Sequence, residues 1–311
     1  VSGVQMKFLL SFAILFSMMN SVFSGEEIRK VLNPIEIKEE SSYIRSGNVQ
    51  KEIEGLQWNR WTSKNFVVLA INDSYAKYLN EHLEMVKTWT LARWGLFDID
   101  FSCQCKFICV DDPVLFEKLF KIKKTKVEIR RDGQGRIKET VIFLLADNSP
   151  SHSVPTPLTD VCLAEFAHKY NENFAWWTYR GMSLLNGPLD NISRSVVEIK
   201  EPIKTNSPMY FSKGLLNLTK EEYIKLSEDQ KDLFDSSAVI FCLMIRKEFG
   251  QEKFHHVMKD SIDDPESSLK KWTGFDSYDN FDRTFKRYMI DLSNDIVAKK
   301  TPDSYLQIYE P

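Results

Sequence analysis

What most narrows the fold of this chain is a change of sequence character at Pro150. Before it, short β-type runs surround one long helical stretch, and after it helical patterns follow one another almost to the end. Phe66 to Ile71 is an unbroken strand-like run, and Asn72-Asp73-Ser74 behind it is a helix start, because these side chains accept hydrogen bonds from first-turn amides. The helix is predicted from about Ser74 to Trp94, with Leu79, Leu83 and Val86 at helical spacing and Gly95 as its stop. Cys105 to Val110 reads as a second strand, and Asp111-Asp112-Pro113 opens a short helix to Phe120. Lys126 to Arg130 and Arg136 to Leu145 flank Asp132-Gly133-Gln134-Gly135, which predicts a β-hairpin with glycine in the turn.

Beyond Pro150, helices are predicted over Leu158 to Tyr170 and Trp176 to Leu185, and Thr219-Lys220-Glu221-Glu222 is a capping box. Asp229 to Phe249 is a long apolar helix stopped by Gly250, followed by Gln251 to Lys259 and Tyr278 to Ala298. The expected fold class is therefore α+β. An N-terminal mixed sheet with a long helix, residues 57–149, packs on a C-terminal helical subdomain, residues 150–300, with 301–311 as a tail.

At 311 residues, 43% hydrophobic and 27% charged, the chain has globular composition, which excludes disorder and fibrous folds. Its 44 acidic and 41 basic residues leave a formal charge of -3, so no whole-chain field points to nucleic acid, and no nucleic-acid partner is expected. Lys7, the apolar run Phe8 to Met19 and the exit Val22-Phe23-Ser24-Gly25 predict a signal peptide over residues 1–24. The run of about 12 residues falls short of the ~20 that span a bilayer. A secreted or periplasmic protein with no transmembrane anchor after cleavage is expected. Residues 25–56 read as a charged, poorly packed lead-in.

Export bears on the five cysteines, Cys103, Cys105, Cys109, Cys162 and Cys242. Their number is odd, so at least one stays unpaired within the chain. Buried free thiols, or one disulfide such as Cys105 or Cys109 with Cys162, are the readings favoured over a metal site. The spacing does not match a zinc knuckle. Cys103, Cys105 and Cys109 share one parity of their strand.

The stretch richest in chemistry is Leu163-Ala164-Glu165-Phe166-Ala167-His168, followed by Trp177-Thr178-Tyr179-Arg180-Gly181. It resembles the gluzincin zinc metallopeptidases, the peptidase MA-like superfamily. There, one helix carries His-Glu-x-x-His, whose histidines lie a turn apart and grip one zinc with the glutamate as general base. A later helix carries a Trp-x-x-Glu-Gly type signature whose glutamate is the third ligand. Trp177 and Gly181 keep that frame. Trp61 to Phe66, Phe234 to Gly250 with Gln251-Glu252-Lys253-Phe254, and Tyr278 to Tyr288 extend the resemblance over about residues 57–298.

The resemblance implies a zincin-like fold with a cleft between its halves. It places Glu165 at the general-base position and His168 at a retained ligand position. The other two ligand positions are broken: Ala164 has no donor atom, and Arg180 is a permanent cation where a carboxylate belongs. The expected protein is a catalytically inactive pseudo-peptidase, without cofactor, that binds an extended peptide or a protein partner in a cleft framed by Trp177 and Gly181. The alternative is an active metallopeptidase whose zinc is held by Glu165, His168 and residues from elsewhere, with His152, His255 and His256 as candidates. Cys162 lies about 200° around the helix from Ala164 and points away. A third idea is a structural envelope component with a filled cleft. Loss of both ligands with Glu165 retained also predicts a salt bridge between Arg180 and Glu165. Oligomeric state is left open by the sequence.

Other features have plainer readings. Lys118, Lys121, Lys123, Lys124, Lys126, Arg130, Arg131 and Arg136 form a basic run that suits either an acidic partner or a lysine-protected edge strand. Trp176, Trp177, Phe174 and Tyr179 suit either a ligand platform or a core. No Gly-x-Ser-x-Gly elbow supports serine chemistry at Ser183. Asn72, Asn191 and Asn217 stand in N-x-Ser/Thr sequences.

Overall fold

The computed structural model describes residues 28–32, 56–96, 99–146, 153–171, 173–187, 190–205, 212–262 and 264–297. The predicted signal peptide, most of the lead-in, His152 and the C-terminal tail lie outside these residues.

The described chain is α+β. Six strands, β1 (Ile28–Leu32), β2 (Trp58–Thr62), β3 (Phe66–Ala70), β4 (Cys105–Val110), β5 (Lys126–Arg131) and β6 (Ile137–Leu145), form one sheet in the order β1-β2-β3-β4-β6-β5. β3, β4 and β6 are parallel, with Val68 opposite Phe107 and Phe107 opposite Ile142. The flanking pairs are antiparallel. Parallel neighbours need crossovers, and α1 (Asp73–Arg93) and α2 (Pro113–Phe120) supply them. Both helices start as their sequence dictates. Asn72 accepts from the Tyr75 amide, and Asp112 accepts from Val114 and Leu115 with Pro113 in the first turn.

Strand alternation sends the two sets of sheet side chains into two cores. Phe66, Val68, Cys105, Phe107, Cys109, Ile142 and Leu144 join the large core shared with the helical half. Val67, Leu69, Ile108, Val110, Val141 and Phe143 pack under Phe116 and Leu119 of α2.

The helical half comprises α3 (Pro155–Tyr170), α4 (Trp176–Leu185), α5 (Asp190–Thr205), α6 (Ser212–Asn217), α7 (Lys220–Ile224), α8 (Glu228–Phe249), α9 (Gln251–Asp260), α10 (Pro265–Thr273) and α11 (Tyr278–Val297). Its central element is α8, where Ser236 to Ile245 are all buried, and α4, α5, α9 and α11 pack against it. Capping boxes open α7 and α8, the first of them at Thr219 as the sequence predicts.

Two features depart from the sequence expectation. The lead-in contributes β1, whose Ile-Arg-Lys-Val-Leu is too short and too charged to stand out from its surroundings. Helices α5, α6 and α10 were not foreseen. α5 contains Pro202, whose missing amide argues against a helix from sequence alone. None of the five cysteines is in a disulfide, and four are buried with Cys103 half-buried. Burial pushes the Cys105, Cys109 and Cys242 thiols well above their ordinary range, so none is a ready nucleophile.

Candidate functional site

The site residues ride on α3 and α4. α3 begins with Pro155 and Pro157 in its first turn and ends where Asn171 takes a left-handed conformation. It packs against β5, β6 and α1, which puts its C-terminal turn beneath the hairpin end of the sheet. Glu165 is 1% exposed and faces inward, while His168, one turn on, is half-buried. Ala164 and Cys162 are buried in the core, so Cys162 offers no donor to a cleft.

Glu165 is a tether. Its Oε2 accepts from the Ser102 amide at 2.9 Å and from the Ser102 hydroxyl at 2.7 Å. The loop holding Ser102 is fixed in turn by Asn65, whose Oδ1 accepts from the Phe101 amide and whose own amide groups donate to Glu84 of α1. A polar chain thus runs from α1 through Asn65 and Ser102 to α3. Glu165 Oε1 is buried without a hydrogen-bond partner among the described residues.

Arg180 does not reach Glu165. Its Nε donates to Asp235 Oδ1 at 2.8 Å and its Nη2 to Oδ2 at 2.5 Å, a two-pronged clamp between α4 and α8. The Tyr223 hydroxyl donates to the same carboxylate at 3.1 Å, and the guanidinium lies over the Tyr223 ring. Burial alone would lower the Arg180 pKa, but the hydrogen bonds and charge of Asp235 hold it above its ordinary value. The expected Arg180–Glu165 salt bridge is therefore replaced by Arg180–Asp235, because α4 turns the guanidinium toward α8. Asp160, one turn before Ala164, accepts from the Ser183 hydroxyl, and burial raises its pKa.

Gly181 and Trp177 are packing residues. A Cβ on Gly181 would lie 2.4 Å from Cys242 Sγ and 2.6 Å from the Ala238 carbonyl oxygen, so glycine is what lets α4 cross α8. Trp177 is buried, with its ring centroid 4.7 Å from that of Phe241. This supports the core reading of that ring. Tyr179 is held up to about 12 by burial, with Arg131 partly offsetting it.

A cleft of about 500 Å³ opens above α3, lined by Ser102, His168, Asp132, Arg136, Ile137 and Lys138. Asp132 on its wall directly follows β5, the edge strand, whose central residues are half-buried and whose ends are exposed. Among the described residues, no strand pairs with its outer edge.

These residues do not fit zinc. Ala164 has no donor, Arg180 is committed to Asp235, and Glu165 is committed to Ser102. His255 is taken by the Trp94 carbonyl and Gln251, and His256 stacks on Trp272 with ring centroids 3.7 Å apart. Neither approaches the cleft wall, contrary to their candidacy from sequence. Among the described residues, no group of three or more His, Cys, Asp and Glu side chains is placed to hold a metal ion. No helix among the described residues is long and apolar enough to cross a membrane.

Sequence reasoning missed Ser102, Asp160, Tyr223 and Asp235. Only Asp235 carried a signal: it directly follows the apolar pair Leu233-Phe234 of α8, where a shielded carboxylate calls for a partner. The rest are joined by contacts far apart in the chain. No protein-family model matches the chain, and no curated protein matches it. The site's chemistry therefore rests on its own geometry.

Proposed function

We propose that this chain is an exported, gluzincin-like pseudo-peptidase that binds extended peptides and does not hydrolyse them. The observation that carries the reading is the placement of β5. An antiparallel edge strand, whose outer edge no strand pairs among the described residues, leads through Asp132 into the wall of the cleft that holds Ser102 and His168. Such an edge presents unpaired backbone donors and acceptors, to which a peptide adds as a further strand, while side-chain pockets beside it give specificity.

The lack of catalysis follows from the donor set. With Ala164 and Arg180 in place of ligands, the helix pair is joined to its neighbours by Glu165–Ser102 and Arg180–Asp235. Neither link supplies an activated water. The polar and charged lining of the cleft suits a peptide better than it suits a structural component with a closed, apolar cleft.

The test is to incubate the purified mature chain with a diverse peptide library, recover what is retained, and weigh the retained peptides. Retention of intact peptides is expected. Cleaved products that vanish on chelator treatment and return with zinc would overturn the reading in favour of a metallopeptidase with a non-standard site.

A further inference from the structure

The three Asn-x-Ser/Thr sequences sit in different physical environments, and from these we infer that Asn72 and Asn217 are acceptors for N-linked glycan while Asn191 is not. Asn72 is exposed at the start of α1. Its Oδ1 accepts from the Tyr75 amide at 3.1 Å, and this cap uses only the oxygen. A glycan occupies Nδ2, and the substituted amide keeps its carbonyl, so modification and capping coexist. Asn217 is the last residue of α6, two residues before the exposed Thr219 that caps α7, and although its side chain hydrogen-bonds Tyr278, the residue is exposed to solvent where Asn191 is buried.

Asn191 is the opposite case. It is buried, and its Nδ2 donates to the Leu184 carbonyl at 2.9 Å while its Oδ1 accepts from Arg194. With the side chain buried and its Nδ2 bonded to the Leu184 carbonyl, a sugar ring has no open path to that nitrogen in the folded chain.

The transfer draws on an oligosaccharide carried by a membrane lipid diphosphate. The bond between Asn Nδ2 and the sugar's anomeric carbon forms, the bond from that carbon to the diphosphate oxygen breaks, and the amide proton leaves with the lipid diphosphate. The inference does not rest on peptide binding. It requires passage through a glycosylating secretory route, which the experiment supplies.

The test expresses the full chain behind an efficient secretion signal in a glycosylating eukaryotic cell, and maps the secreted protein's peptides before and after enzymatic glycan release. Glycan at Asn72 and Asn217 with Asn191 bare is expected. Ser74→Ala removes the first acceptor sequence without touching the Asn72 cap, so it is expected to lose one of two glycans at unchanged secretion. Asn217→Gln loses the other. Glycan on Asn191 in the folded, secreted protein overturns the inference, and a bare Asn72 or Asn217 in the unmodified chain overturns it for that residue.

Discussion

Arg180 and Asp235 meet through two parallel hydrogen bonds, at 2.8 Å and 2.5 Å, and so join α4 to α8. Both side chains are largely shielded, at 22% and 14% exposure, so the pair cannot fall back on water when one partner is removed. Arg180→Met alone leaves Asp235 with only the Tyr223 hydroxyl. It is expected to lower stability by about 3 kcal/mol, with residual exposure keeping it at the low end for a shielded pair. Arg180→Met with Asp235→Leu is expected to recover most of that loss, since no charge is left stranded. Denaturant unfolding of the four species of the cycle measures the coupling. Equal instability of the single and double variants would show that the clamp is not what joins the helices.

At Gly181 the two helices approach too closely for any side chain. Gly181→Ala drives a methyl group against Cys242 Sγ and the Ala238 carbonyl. A loss of about 1–3 kcal/mol is expected from overpacking. Adding Cys242→Ala should restore only part, because the backbone oxygen of Ala238 remains in the way. Thermal melts of the single and double variants check both statements.

Much of this arrangement was legible in the sequence. The helical spacing of α3 from Leu158 and the stop at Gly250 follow from short-range rules, although the helix begins earlier, at Pro155, and the shared parity of Cys105 and Cys109 puts both on one face, which the structure turns toward the helical layer. Local rules do not tell which way a long side chain swings. Arg180 lies 15 residues after Glu165 and 55 before Asp235, and the two vacated ligand positions beside a retained Glu165 pointed to the nearer carboxylate. β1 escaped notice for a related reason, since a five-residue charged strand is specified mainly by its pairing with β2.

Glu165 is expected to act through Ser102 and not through a metal. Glu165→Ala removes the acceptor of two hydrogen bonds and frees the loop that carries Ser102. A loss of about 2–3 kcal/mol is expected, since hydrogen bonds to charged groups are the stronger kind. Ser102→Ala, which keeps the amide bond and loses only the hydroxyl, should cost less. Calorimetry or denaturant titration ranks the two, and the opposite order would refute the tether.

His255 gives the fold a dependence on pH. Burial holds its pKa below the ordinary histidine value, with the Trp94 carbonyl partly offsetting. The unfolded chain then takes up a proton at this residue before the folded one does. Stability from this site is therefore complete above the ordinary value of about 6.5 and is lost as pH falls through the lowered folded value. His255→Gln is expected to flatten the stability profile between about pH 7 and pH 5. An unchanged acid slope in the variant would mean that another group carries it.

The most direct test of the account is amide hydrogen exchange on the protein with and without a peptide retained from the library, read across the sheet. The account predicts new protection concentrated in β5, Lys126–Arg131, with the peptide recovered intact. Protection confined to other elements, or a peptide cleaved during the exchange, would contradict it.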